Sequence, residues 1–553
     1  MINEYYNEDT KNSELSNGLD KKNYYLGSVT QVSMGEVILQ VDNLTLLAHR
    51  MLRQSDLVPN TINYYVVIDS TDGIFLGRII KNYIPVSQYR KNKFDEMHQE
   101  QIVAEAIVVV LGFQTNGSRC FTLPGFARPG ITDKVYLANE RIIKDYVSSI
   151  EVSEKELYSS KRIEHFAHLS NYKNVSFGLR SSTLFNRHLM IVGTTNSGKS
   201  TTALSILNQL VNSKKRVILI DPTGEYKKSF SSSRKKEMQK LVLGIDTFVS
   251  PGALSIHDWS TIFECNKNTQ ESILFEAIKS LRYQEKNNLN NQPLVKKDQY
   301  IQTIQYNLNT VNANDVKFNP SMLPEQIMEE AVIEDKDRYK ENKFRKNIYG
   351  WLREKVETVL SNTSFKQFFD DTGGSARMDL FKELDYFYQS RDESLYIDAS
   401  AIGTTDSIGG IIINLVCEYL LKKPKCEENG YVIFVDEVHR YAKDNSEPDS
   451  FHSGLTSIAR EGRKKGIFLF LTTQNPSDVS PELLGQVGTL IIHRLTHSKE
   501  IDAIQNYVSR DSIDQIVKLN QGEAILSSVN LLEDLHLSID ACSRIHENKT
   551  LGI

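Results

Sequence analysis

The run Gly193-Thr194-Thr195-Asn196-Ser197-Gly198-Lys199-Ser200 constrains this chain more than any other segment. It fits G-x-x-x-x-G-K-[ST], and its surroundings fit too: an apolar run, residues 189–192, precedes it and TTALSILNQLVN comes after it. Ala203, Leu204, Leu207, Leu210 and Val211 fall on one face of that second segment at helical spacing. A strand that feeds a small-residue loop and then a helix gathers backbone N–H groups and the positive end of a helix dipole around one small volume. That volume suits a polyphosphate. A chance match in a Gly/Ser-rich loop would lack both flanks. The expected ATP-binding residues are therefore this octapeptide and Thr201, with Lys199 reaching the β/γ-phosphates and the Ser200 hydroxyl ligating Mg²⁺.

Three further elements read as parts of the same chemistry. Val432-Ile433-Phe434-Val435-Asp436-Glu437 is an apolar strand ending in two carboxylates. Asp436 is expected to hold the Mg²⁺ shell and Glu437 to polarise the attacking water. Leu469-Phe470-Leu471-Thr472-Thr473-Gln474 is a strand whose polar end, Gln474, is placed to sense the γ-phosphate. Ile458-Ala459-Arg460-Glu461-Gly462-Arg463-Lys464-Lys465 ends a helix in four cations. Cations pair favourably with any helix C-terminus. The functional reading is an arginine finger at Arg460 or Arg463.

Around these motifs the texture is α/β. HLMIVG, RVILID, SLYIDA, YVIFVDE, IFLFLTTQ and TLIIHRL read as strands separated by helices. That alternation predicts a mostly parallel sheet covered on both faces. A charged, mostly helical block over about 265–390 reads as an insertion into it. Before it, from 24 to about 137, YYLGSV, EVILQV, NYYVVI, IFLGRII and EAIVVVLGF are short β-type runs, with Asp72-Gly73 at a hairpin turn. So many short strands in so little chain predict a small barrel or sandwich. The expected layout is a disordered 1–22, a barrel over 23–140, a partly helical linker over 141–180 and a RecA-like core over 181–553.

The remaining signals exclude more than they assign. The N-terminus is polar and lacks a signal-peptide core, and the apolar stretch 408–421 contains Asn414 and Glu418. It is shorter than the roughly 20 apolar residues that span a bilayer, so a buried helix and a cytoplasmic protein are expected. The five cysteines form no C-x-x-C pair and read as free thiols. His165 and His168 form an H-x-x-H pair with no third ligand nearby, so they are structural on this reading. Lys227, Lys228, Arg234, Lys235 and Lys236 form a basic loop, either solvated or facing DNA. A net charge of −5 does not exclude nucleic acid, because a basic channel can sit in an acidic molecule.

The chain beyond Arg440 completes one sheet and leaves no room for a second core. A site built from one core per chain is completed, if at all, by a neighbouring subunit, and head-to-tail contacts of that kind close into rings. At this point the motifs resemble the HerA family within the HerA/FtsK class of ring ATPases. The segments that carry the resemblance are FNRHLMIVGTTNSGKS, RVILIDPTGEY, VIFVDEVHRYA, SIAREGRKKG, TTQNPSDVSPELLGQ and LNQGEAILSS. The resemblance implies a β-barrel, a RecA-like core with a helical insertion, a homo-hexamer moving on double-stranded DNA, and a partner nuclease or other effector docking on the barrel side. It also implies a cis role near the phosphates for Arg187 and a trans finger at Arg463 or Arg460. Asp221 and Glu225 lie in a matching segment without a definite role. Asn196 departs from the family's usual glycine, and Asn tolerates left-handed backbone better than most residues.

Two other functions remain open on the sequence. One is a regulatory ATPase ring that holds and gates an effector, for example in defence against phage, with little unwinding of its own. The other is a ring that remodels polypeptide.

Overall fold

The computed structural model describes residues 2–6, 21–42, 50–52, 55–57, 64–85, 104–118, 120–151, 165–170, 172–178, 184–185, 187–232, 235–236, 238–266, 269–369, 377–390, 393–401, 408–426, 430–441, 454–529, 531 and 534–544. Six strands close a barrel: β1 (Tyr25–Val32), β2 (Val37–Val41), β3 (Tyr65–Ser70), β4 (Gly73–Tyr83), β5 (Ala104–Thr115) and β6 (Lys134–Leu137). Its order is β1-β2-β5-β4-β3-β6, and closure follows because β6 pairs antiparallel with both β1 and β3. The alternation read from EVILQV is visible in β2, where Val37, Leu39 and Val41 are buried and Ile38 and Gln40 are half-buried. The β3–β4 hairpin turns at Thr71-Asp72, one residue earlier than Asp72-Gly73. Gly73 opens β4 at φ +153°, where a Cβ would stand 2.1 Å from the Gln114 carbonyl oxygen, so the strand's approach to β5 requires glycine.

The N-terminus differs from the expected disorder. A short helix α1 (Ile2–Tyr5) buries Ile2 and Tyr5, and Tyr6 directly after it is buried too. Asn139 donates to the Tyr5 carbonyl at 3.0 Å, and the Tyr6 hydroxyl donates to the Leu137 carbonyl. Two aromatic rings in a polar segment suffice to hold it to the barrel. Most of the rest of 1–22 lies outside the described residues.

Helix α2 (Glu140–Glu151) buries Ile142, Ile143, Tyr146 and Val147 on one face. The later strands, in chain order, are β7 (Ala167–Leu169), β8 (Tyr172–Phe177), β9 (His188–Val192), β10 (Arg216–Asp221), β11 (Met238–Val242), β12 (Ser394–Asp398), β13 (Tyr431–Val435), β14 (Ile467–Thr473), β15 (Val487–Ile492), β16 (Glu523–Ser528) and β17 (Leu535–Ile539). The chain forms two compact units. The first takes Met1–Gln209, Gln474–Ser477 and Val487–Ser543, and so joins the barrel to the strand order β8-β7-β17-β16-β15-β9. In it β9 and β15 are parallel, and the strands from β15 outward are antiparallel. β7 and β8 fall in what reads as linker, yet they extend this sheet. Their buried Ala167, Leu169, Val175 and Phe177 supply the apolar face that recruits them.

The second unit takes Leu210–Thr473, Asp478–Gln486 and Arg544–Ile553. Its strands run β14-β13-β10-β12-β11, all parallel. β10, β12 and β13 are buried along their whole length, as strands covered on both faces must be. Between β11 and β12 lies the helical block, which includes Gln270–Lys286, Lys343–Ser361 and Leu380–Gln389. Trp259 anchors it, stacked on Phe263 and ringed by Phe318, Phe365 and Phe369. The stretch read as a buried helix is one: Ile408–Lys422 buries Ile412, Val416, Cys417 and Leu420. No helix among the described residues is long and apolar enough to cross a membrane.

Candidate nucleotide site

In the first unit β9 is buried throughout and delivers the chain into the loop 193–200, after which helix α3 (Lys199–Asn212) begins. The loop is held from within and from outside. Ser197 closes it through its hydroxyl on the Thr194 carbonyl at 2.7 Å. The Thr194 N–H and hydroxyl both donate to the Arg494 carbonyl, at 3.0 and 3.1 Å. The Gly522 N–H donates to the Ser197 carbonyl at 3.0 Å.

Both motif glycines are required. A Cβ on Gly193 would sit 2.6 Å from the His493 Cβ, and Gly198 has φ +113° with Gly522 3.2 Å from where its Cβ would be. Asn196 stands at φ +61°, the left-handed region that asparagine tolerates. Lys199 is buried, so its ammonium is held by the fold rather than free in solvent. Gln474 is brought to the loop, where its Oε1 accepts from the Thr195 hydroxyl at 2.7 Å. Arg187 is exposed, with its stem packed over Gly488.

The second unit supplies the carboxylates. Asp436 and Glu437 come directly after β13 and are both buried. The Asp436 N–H donates to the Ile220 carbonyl of the neighbouring strand at 3.2 Å. Thr472, fully buried on β14, donates its hydroxyl to the Asp436 carboxylate and accepts the Glu437 N–H at 3.0 Å. Glu437 adopts left-handed backbone, φ 48° and ψ 52°, which turns its side chain out of the strand direction. His439 Nδ1 lies 3.3 Å from Glu437 Oε2 and 3.1 Å from the Thr473 hydroxyl.

Asp221 has no carboxylate left for catalysis. Its Oδ1 accepts from Thr223 N, Thr223 Oγ1 and Gly224 N, and its Oδ2 from Tyr226 N and the Tyr396 hydroxyl, all within 3.0 Å. It shapes the turn after β10, and Glu225 sits half-buried in that turn.

Arg460 and Arg463 are exposed on the helical run that precedes β14. That run contains a π-turn, Ile458–Gly462, of the kind often found at functional positions. Arg460 is paired with Glu482 of the same unit. In the basic loop, Lys227 and Lys228 are exposed, while Arg234 lies outside the described residues. His168 bonds Asp540 at 2.8 Å, and no cluster of metal-ligating side chains occurs among the described residues.

His493, Thr202, Gly522, Thr472 and His439 lie in quoted segments, but the motif reading gives them no role. The only trace of His493 in the sequence is a polar residue ending the strand TLIIH.

This loop, on this strand and helix, with buried carboxylates ending a parallel strand, defines a P-loop ATPase of α/β fold with an N-terminal β-barrel. Residues 165–386 match the family model for the central domain of helicase HerA, and residues 415–532 match that for the HerA-like C-terminal domain. Together they cover more than half of the chain, which belongs to the HerA family.

Among its relatives, a probable helicase of Methanocaldococcus jannaschii is 24% identical over 503 residues, covering 88% of this chain and 86% of the relative. The probable DNA double-strand break repair helicase HerA of the same organism is 23% identical over 415 residues, covering 70% and 78%. Among solved structures, VirB4 of Thermoanaerobacter pseudethanolicus aligns at TM-score 0.48 and 16% identity, covering 70% of this chain and 98% of that one.

Proposed function

We propose that this chain hydrolyses ATP with Mg²⁺ to move along double-stranded DNA as a ring of six, serving a nuclease or other effector. The observations that carry the chemistry are two buried constellations in a HerA-family chain, one in each unit. One is the strapped loop with Lys199, and the other is Asp436-Glu437 locked by Thr472. Substrate and DNA come from the family, whose relatives include named DNA double-strand break repair helicases.

Mg²⁺ fits the donors present. Ser200 offers a hydroxyl and Asp436 a buried carboxylate, hard oxygen ligands that leave most of the shell to water and phosphate. The ion would neutralise phosphate charge. Lys199 and the loop N–H groups orient the triphosphate, Glu437 orients and deprotonates the attacking water, and Gln474 and Arg187 lie near the terminal phosphate. Arg463 or Arg460 reaches the adjoining subunit's nucleotide from its exposed helix.

The barrel offers a face for an effector. A groove of about 300 Å³ lined by Met34, Val109, Leu123 and Arg128 is flanked by Phe126, which is 98% exposed. Apolar side chains so exposed mark interaction surfaces. We propose phage defence or DNA end processing as the setting for such a partner.

The test is ATPase rate against linear duplex DNA at two salt concentrations, with light scattering to size the ring. DNA stimulation that weakens as salt rises supports translocation. A rate indifferent to DNA, with the partner present, would turn the assignment to an effector-gating ring.

A further inference from the structure

His493 lies outside every motif and touches the phosphate loop at several points. It is fully buried at the end of β15. Its Cβ leaves no room for a side chain at Gly193, and its Cε1 crowds the Gly198 position at 3.2 Å. Its Nδ1 is 2.9 Å from the Glu523 carbonyl and its Nε2 is 2.9 Å from the Thr202 hydroxyl. A carbonyl oxygen only accepts, so Nδ1 carries the ring hydrogen, and Nε2 at 2.9 Å competes with the Gly198 carbonyl at 3.2 Å for the Thr202 hydroxyl hydrogen. Burial, with Lys199 nearby, pushes the imidazole down to about 4, in keeping with a neutral ring.

Thr202 stands in the first turn of α3, with its N–H on the Gly198 carbonyl at 3.0 Å. The ring therefore connects that turn to the start of β16, beside Gly522, which holds Ser197. Every one of these groups belongs to the first unit.

We infer that His493 is a positioning residue for nucleotide binding, bridging Thr202 to the Glu523 carbonyl and so fixing the glycine loop in the shape that receives the phosphates. The inference rests on reading 193–200 as the nucleotide loop. A loop without this brace keeps its sequence but samples other shapes, and binding then has to supply the ordering free energy. The effect falls on affinity more than on turnover, because Glu437 and Lys199 remain in place once nucleotide is bound.

The experiment uses the full chain, a fluorescent ATP analogue for affinity, steady-state ATPase kinetics and apo-protein melting. His493→Phe keeps the ring and removes both nitrogens, while Thr202→Val removes only the hydroxyl. One neutral hydrogen bond is worth about 1 kcal/mol, so each variant should raise Kd and KM for ATP roughly five- to tenfold and lower kcat less than threefold. Because the two variants share the Thr202–His493 bond, the double variant should lose less than the sum of the two single losses. His493→Gln, which retains an acceptor for Thr202, should recover part of the affinity.

Unchanged KM in a folded His493→Phe, or fully additive losses, would overturn the inference. So would loss of active sites at wild-type KM, the mark of a purely structural residue. If His493→Phe does not fold, Thr202→Val alone decides, and a wild-type KM there overturns the inference. The nucleotide-loop reading fails separately, if Lys199→Ala binds the analogue as tightly as wild type.

Discussion

Replacing Thr472 with valine tests the carboxylate site at its hinge. Valine keeps the branched shape and the strand preference, so packing on β14 is preserved. What disappears is one hydroxyl that donates to Asp436 and accepts from the Glu437 N–H in a fully buried position. A hydrogen bond to a charged group is worth about 1.5–3 kcal/mol and a neutral one about 1 kcal/mol. Burying an extra methyl returns about 0.8 kcal/mol. The net loss is about 2–3 kcal/mol. At about 2–4 °C per kcal/mol for a unit of this size, calorimetry should show the melting of the second unit fall by about 5–10 °C.

Activity should fall as well. The Glu437 N–H bond helps to hold a left-handed backbone that costs on the order of 1 kcal/mol, so its loss frees the carboxylate to turn away from the water. A kcat decrease of at least tenfold is expected. Thr472→Ser, which keeps the hydroxyl, should recover most of both quantities. If Thr472→Val matched wild type in melting temperature and kcat, the locking role assigned to this hydroxyl would be wrong.

Other outcomes rest on the same geometry. Lys199→Ala should weaken ATP binding at least tenfold in equilibrium titration, since the buried ammonium proposed to bind the phosphates is removed. Glu437→Gln should bind ATP normally and lower kcat by about 10²–10⁴, measured by phosphate release. Mixed rings of Glu437→Gln with Arg463→Ala, or with Arg460→Ala, should be more active than either parent, because one subunit lends its arginine to a neighbour with an intact carboxylate. Co-assembled rings that stay inactive would leave that cation as ordinary helix-end charge. Acid should destabilise the first unit. Burial pushes His493 and His536 down to about 4, so the unfolded chain takes up their protons first. Their stabilisation is complete above about pH 6.5 and is lost as pH falls towards 4, by at most about 3 kcal/mol each. Denaturant midpoints at pH 7.5 and 5.0 measure it, and His536→Gln should flatten the difference.

The phosphate loop and the carboxylate strand were legible because their chemistry is local. Loop 193–200 needs its own glycines, and Asp436 needs only the apolar strand before it. The barrel was legible for a similar reason, since each of its strands carries its own alternation. The short N-terminal helix was not, because Tyr5 and Tyr6 sit among polar residues and only the barrel wall reveals what they cover. The strands β7 and β8 failed on length. Ala167–Leu169 has three residues, too few for a periodicity to register, and its partner β17 is more than 350 positions away.

The wall of the nucleotide loop is the harder case, and it shows how much a motif leaves out. Thr194 is held by Arg494, Ser197 by Gly522, and Thr202 by His493, each about 300 positions along the chain. Nothing near His493 in the sequence distinguishes it from any polar residue that ends a strand. Its meaning comes from β15 running parallel to β9, which sets residue 493 beside residue 193. Arg494 contributes through its backbone carbonyl, so no side chain there signals the contact. Gly522 contributes a bare N–H at φ +83°. A phosphate loop therefore takes its sequence from one segment and its rigidity from another. A substitution at the distant wall should imitate a defect in the motif while leaving every motif residue intact.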